Sequence, residues 1–374
     1  MIERVLKNRV NSLLGGQKAI VIIGARQVGK STLLKDLFAN RQDVLWMNGD
    51  DQDVRNLFDN LSSTRAKAII GKNNILIIDE AQRITDIGLK IKLFTDQVEG
   101  VQVIATGSSS FELANRLNEP LTGRKREFKM FPITFSEMVN HTSLLDELRM
   151  IPHRMVYGYY PEVVTNLGDE KNILKELADS YLYRDILSLD NISKPEKLVK
   201  LLQALALQIG EQVSYNEVGQ LIGIDPKTVE KYVDVLEKSY VIFRLGSFSR
   251  NLRNELKNSR KIYFWDLGIR NAVIGNFSNI ENRADVGALW ENYVISERMK
   301  KKLYSDAFTN FWFWRTQQQK EVDLIEEEDG KMHAYEFKWN PKKANVKVPD
   351  SFAKAYPDAT FDVISNENVE EFIM

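Results

Sequence analysis

The sequence predicts an α/β protein of several domains, opening on a mostly parallel sheet with helices on both faces. Three observations predict it. Apolar runs of strand length recur at residues 19–23 (AIVII), 44–47 (VLWM), 74–78 (NILII) and 101–105 (VQVIA). Helical patterns separate them, for example over residues 86–98. The chain has 374 residues, too many for one ordinary core and enough for two to four domains. Strands that alternate with helices imply parallel pairing with helices covering the faces.

Composition narrows the class. Hydrophobic content of 43% and charged content of 28% are those of an ordinary soluble globular chain. No apolar run reaches the eighteen or so residues that span a bilayer, so no membrane partner is expected. The opening MIERVLKNRV lacks the apolar core of a signal peptide, and a cytoplasmic location is the expectation. Without cysteine, disulfides and thiolate metal sites are excluded. The three histidines, His141, His153 and His333, are scattered, which argues against zinc. A net charge of −1 offers no global attraction to nucleic acid, so local patches must carry any such role. The acidic run EEED at 326–329 reads as a solvated turn.

Along the chain, residues 1–18 read as a lead-in helix, and a first domain spans 1–140. Residues 141–210 form a helical linker or lid, with apolar positions at three- and four-residue spacing. Residues 211–266 change character. Ser214 with Glu217 predicts a capping box, and Asp225-Pro226 predicts a second helix start. Two β-type runs, YVIFRLG and KIYFWD, follow. Helix, turn, helix and a two-stranded ribbon is the outline of a winged helix. Residues 267–374 lead with the helix through WENYVISERMKKKL and continue in strand runs, a mixed α/β domain.

The sharpest motif is Gly24-Ala25-Arg26-Gln27-Val28-Gly29-Lys30-Ser31, followed by Thr32, which matches G-x-x-x-x-G-K-[ST] in full. Glycines let backbone N–H groups turn inward around phosphate oxygens, and the helix opening at Lys30 adds its positive end. Lys30 is expected to reach the β- and γ-phosphates of ATP and Ser31 to ligate Mg²⁺. The motif follows an apolar strand and opens a helix, the context that such a loop requires. Ile75–Ile78 then ends in Asp79-Glu80. Asp79 is expected in the Mg²⁺ shell, and Glu80 as the base that polarises the attacking water. A third strand ends in hydroxyls: either Thr106 or Ser108 senses the γ-phosphate, or the segment is a polar turn. In Gly123-Arg124-Lys125-Arg126, Arg124 is either an arginine finger acting across a subunit interface or part of a solvated basic turn.

With GARQVGKST, LIIDEAQ, ATGSSS, LTGRKREFKMFPITFSEM, YGYYPEVV, YLYRDIL and EVDLI followed by YEFKW, the chain resembles a prokaryotic family of AAA-type ATPases. In that family a C-terminal domain of unknown function follows the ATPase. The likeness spans essentially the whole chain. It implies an AAA-like core, a winged-helix segment, a C-terminal domain similar to restriction endonucleases, and assembly into a homo-oligomer. In the last segment, Glu291 on a helix, Asp323 on a strand, and Glu336 with Lys338 on the next strand follow the layout of PD-(D/E)xK nucleases, although Val322 stands where proline is usual. In that layout Glu291, Asp323 and Glu336 are metal ligands, and Lys338 helps to activate a water. The alternative is a solvated strand on a fold that has no catalysis.

If DNA is a partner, helix 226–239 is the reading helix, presenting Lys227, Thr228 and Lys231 away from its apolar face. The basic stretch from Arg244 to Lys261, including Arg250, Arg253 and Lys257, is expected to touch phosphates. The alternative is a winged helix used for packing. Two functions follow: an ATPase acting on or with DNA, or an ATP-dependent signalling or scaffold protein that binds a protein partner.

Overall fold

A computed structural model describes residues 1–107, 121–179, 194–248 and 260–374. Ser108, Arg250, Arg253 and Lys257, with the YLYRDIL stretch, lie outside the described residues. The chain divides into two compact units. The first is Met1–Pro132 with Lys238–Tyr240, and the second is Ile133–Glu237 with Val241–Met374. The segments read as 141–210, 211–266 and 267–374 all fall in or across this second unit.

In the first unit five strands form one parallel sheet: β1 (Ala19–Gly24), β2 (Val44–Asn48), β3 (Ile75–Asp79), β4 (Gln102–Gly107) and β5 (Lys125–Met130), in the order β2-β3-β4-β1-β5. β1, β3 and β4 are buried along their whole length, which explains their unbroken apolar runs. β4 is inserted between β1 and β3, with Ile22 beside Thr106 and Ile78 beside Ala105. The carboxyl ends of the three strands therefore share one edge of the sheet, where ligands bind in open parallel sheets. The lead-in helix is shorter than residues 1–18 and runs over Val5–Ser12.

The second unit holds a seven-stranded sheet. Its strands are β6 (Gln212–Val213), β7 (Ile242–Ser247), β8 (Arg260–Phe264), β9 (Thr309–Arg315), β10 (Glu321–Glu328), β11 (Lys331–Phe337) and β12 (Thr360–Ile364), in the order β12-β11-β10-β9-β7-β8-β6. The ribbon β7-β8 is antiparallel, and β7 also pairs in parallel with β9 through Gly246 opposite Trp312. The ribbon and the last four strands are thus one sheet. Between Val322 and Ile325 two residues of β10, Asp323 and Leu324, stand opposite one of β9, Phe313, a bulge that carries Asp323.

The long helix Val286–Tyr304 crosses this unit and buries Leu289, Trp290, Tyr293, Val294 and Ile295. Its Asn292 exchanges two hydrogen bonds with the backbone of Phe264, at 2.7 and 2.8 Å. Helix Tyr215–Ile222 starts at Ser214, whose hydroxyl accepts from the Glu217 N–H at 3.4 Å. Only that half of the expected capping box forms. A complete one occurs at Thr134 and Glu137 instead. The expected acidic turn at 326–329 is also corrected. Glu326 lies within β10, is buried, and pairs with Arg298 at 2.7 and 2.8 Å, so the turn begins only at Asp329.

Just before the long helix, Asp285 accepts from Arg270 at 2.7 Å and from Arg283 at 2.8 Å. Burial opposes its charge, but hydrogen bonds from Arg283 and Arg270 outweigh this and pull its pKa down from 3.8 to about 2. A depressed carboxyl pKa stabilises the fold above the unfolded value, and that contribution is lost as pH falls through about 2. The side chain is 29% exposed, so screening leaves about 1 kcal/mol. Asp285→Asn is expected to lower unfolding stability at pH 7 by that amount. The gap to wild type should close below pH 4 in urea titrations; a gap that stays constant with pH would contradict the assignment.

Candidate functional site

The loop between β1 and helix Lys30–Leu37 is built for phosphate. Gly29 caps the helix with φ +95°, a left-handed geometry that suits glycine, and offers no side-chain cap to the first N–H groups. Gln27 also has a positive φ, of 60°, a strain that tends to be kept at functional loops. Ala25 and Val28 are buried while Arg26, Gln27 and Thr32 are exposed and Ser31 is half-buried, as a loop walled on one side requires. Lys30 is 5% exposed. Its ammonium donates to the carbonyls of Gly24 at 3.0 Å and Ala25 at 2.7 Å, which holds the charge over the loop. Sequence reading missed Arg4. Its guanidinium donates to Val28 O at 2.6 Å and Phe131 O at 2.7 Å and so ties the loop to the end of β5.

At the same sheet edge, β3 delivers Asp79, which is buried. Thr106 of β4 donates its hydroxyl to Asp79 Oδ1 and accepts from the Glu80 N–H at 3.3 Å. Thr106 is itself wholly buried. Its hydroxyl therefore orients the acid pair. Glu80 has φ +48°, and its carboxylate accepts from Gln82 Nε2 at 2.5 Å. Gly49 donates its N–H to Asp79 O at 2.8 Å, and an added Cβ there would lie 2.4 Å from Glu80 O. Arg124 sits elsewhere. It precedes β5 at the amino end of the sheet, bonded through its carbonyl to the Ala19 N–H, and pairs with Asp96 at 2.9 Å. Within its own chain it is at the opposite edge from the loop.

In the second unit a cavity of about 400 Å³ is lined by Glu291, Asp323, Lys338, Trp339, Asn340 and Lys343, among others. Lys338, one residue past the end of β11, pairs with Glu336 at 2.6 Å. Asp323 is buried and accepts from the Phe337 N–H at 2.8 Å. Burial, then the fields of Glu291 and Glu336, push its pKa well above the usual range. Burial disfavours the Lys338 ammonium, but Glu336, Asp323 and Glu291 more than offset this and hold its pKa above the ordinary lysine value. Glu291 is held by two donors. It accepts from Lys261 at 2.9 Å and from the Tyr263 hydroxyl at 2.5 Å. Among the described residues no group of three or more His, Cys, Asp or Glu side chains is arranged to hold a metal.

Helix Pro226–Lys238 buries Val229, Tyr232, Val233 and Leu236 and exposes Lys227, Glu230 and Lys231. Thr228 is committed to its own helix, since its hydroxyl donates to Asp225 at 2.5 Å and its N–H to the same carboxylate at 3.1 Å. The described part of the basic stretch is neutralised internally. Arg244 pairs with Asp234 at 2.7 Å and with Glu237, Arg260 with Glu230 at 3.4 Å, and Lys261 with Glu291 and Glu321.

Residues 16–139 match the family model described as an AAA domain, and the first unit is an AAA-type P-loop NTPase domain. Residues 148–280 and 286–371 match two models described as domains of unknown function. Over most of its length the chain is similar to an uncharacterized protein of Mycobacterium tuberculosis, 25% identical and covering 88% of this chain and 72% of that protein. It is also similar to one of Methanocaldococcus jannaschii, 23% identical and covering 97% and 84%. Among solved structures it resembles the Walker-type ATPase of Pyrococcus abyssi, with 16% identity, coverage of 73% and 96%, and a TM-score of 0.49. Among the described residues no helix is long and apolar enough to cross a membrane.

Proposed function

We propose that this chain hydrolyses ATP in its first unit and acts with DNA through its second. One observation carries the hydrolytic reading: the phosphate loop with Lys30 and the Thr106-oriented pair Asp79-Glu80 converge on one sheet edge. Ser31 and Asp79 would hold Mg²⁺, which supplies charge neutralisation to the phosphates when bound. The donor set fits a hard cation that takes oxygen ligands. Loop amides and Lys30 grip the triphosphate, and Glu80 takes the proton of the attacking water. Arg124, remote from its own loop, would complete the site of a neighbouring copy in a homo-oligomer.

For the second unit, two helices followed by an antiparallel ribbon support a winged-helix reading with Lys227 and Lys231 toward DNA. The Glu291, Asp323 and Glu336-x-Lys338 layout supports a nuclease-like fold. The internal pairing of Arg244, Arg260 and Lys261 favours a second reading, an ATP-driven scaffold whose C-terminal part binds a protein and does not cut. Phosphate release measured with and without single- and double-stranded DNA separates the two. DNA is expected to stimulate turnover, and Lys30→Ala to remove it. Lys227→Glu with Lys231→Glu should weaken DNA binding about tenfold or more and flatten its salt dependence. An absence of DNA binding at low salt leaves the scaffold reading.

A further inference from the structure

The acidic cluster of the second unit already contains a cation of its own. Lys261 projects from β8, a ribbon strand, and is only 1% exposed. Its ammonium binds Glu291 Oε1 at 2.9 Å and the Glu321 carboxylate, and lies 5.5 Å from the centre of the Phe313 ring. Glu321 also pairs with Arg315 at 3.2 Å, and Glu336 with Lys338 at 2.6 Å. Three cations thus answer the carboxyl groups of Glu291, Glu321, Asp323 and Glu336.

A divalent ion on Glu291 and Asp323 would need the Glu291 oxygen that Lys261 already holds and would face a fixed, buried ammonium at close range. The donor set therefore does not suit a metal while Lys261 is in place. We infer that Lys261 is a resident counter-ion standing where a nuclease-like fold would hold its divalent metal, so that the native C-terminal site is closed to cations. The same side chain fastens the ribbon to the C-terminal strands, because its two carboxylate partners lie on the long helix and on β10. Removing it should leave Glu291, Glu321 and Asp323 free to draw together on a cation, which they are not arranged to do with Lys261 in place.

The test uses the full chain without nucleotide, carrying Asp79→Asn to silence the metal ligand of the first unit, so it does not depend on ATP turnover. Mn²⁺ binding is followed by electron paramagnetic resonance. With Lys261 intact, no Mn²⁺ site that depends on Asp323 is expected. Lys261→Gln should gain one Mn²⁺ site at least tenfold tighter than any residual binding, and Asp323→Asn should remove it. If Lys261→Gln does not fold, Lys261→Met, which keeps the length of the side chain without its charge and leaves all three carboxylates in place, is read in the same way. Two results would overturn the inference: Mn²⁺ binding with Lys261 intact that Asp323→Asn or Glu291→Gln abolishes, or a folded Lys261 variant that gains no site.

Discussion

Glu80→Gln is expected to lower ATP turnover by about 10³-fold, or about 4 kcal/mol in the barrier, while nucleotide binding stays near wild type. The separation follows from where Glu80 sits. Its backbone N–H is held by Thr106 Oγ1 at 3.3 Å, and its φ of +48° turns it off the end of β3 beside Asp79. The triphosphate grip belongs to a different segment, the loop closed by Lys30 and clamped by Arg4. Gln keeps the shape of the side chain and its contact with Gln82, and removes only the capacity to take a proton. Asp79→Asn should behave differently, because it changes the metal shell and so weakens Mg²⁺-dependent binding together with turnover. The two variants are compared by phosphate release and by titration with a fluorescent nucleotide. Turnover of Glu80→Gln within tenfold of wild type would remove Glu80 from the chemistry.

The residues proposed for the nucleotide site stand out in the sequence because they follow the ends of strands buried on both faces. β1, β3 and β4 carry near-continuous apolar side chains, so their ends, and the polar residues at those ends, stand out in the sequence. Arg4 was not legible. It lies just before a short helix of mixed composition, and only the folded chain brings its guanidinium to carbonyls 24 and 127 positions away. In the second unit, the parallel pairing of β7 with β9 joins segments more than sixty positions apart, which no local pattern announces. The partners of Lys261 were hidden for the same reason. In a run of lysines and arginines it reads as part of a phosphate-contacting stretch, yet β8 is buried and its partners, Glu291 and Glu321, come from distant elements. Asp323 was singled out through the layout it shares with Glu291, Glu336 and Lys338, but the bulge that carries it has no sequence signature of its own.

Gly24→Ala is expected to be the most destabilising single-methyl change in the first unit, at about 3 kcal/mol or more. Gly24 is the last residue of β1 and pairs with Met130 of β5. A Cβ at this position would lie 2.0 Å from the Met130 carbonyl oxygen and 3.0 Å from its carbon. Backbone atoms of a paired strand cannot rotate away as a side chain can, so the two strands must separate at their carboxyl ends. Ordinary overpacking costs about 1–3 kcal/mol, because side chains absorb part of it. Here the strain falls on the joint that Arg4 ties, between the phosphate loop and Phe131, and on the carbonyl that receives Lys30. Loss of stability and loss of nucleotide affinity are therefore expected together. Gly71→Ala is the matching control, since Gly71 has φ +58° but nothing within 4 Å of an added Cβ. It should cost only about 1 kcal/mol, through backbone strain, and leave nucleotide binding unchanged. Equal unfolding midpoints for the two alanine variants would show that the close approach to Met130 does not set the geometry of the loop.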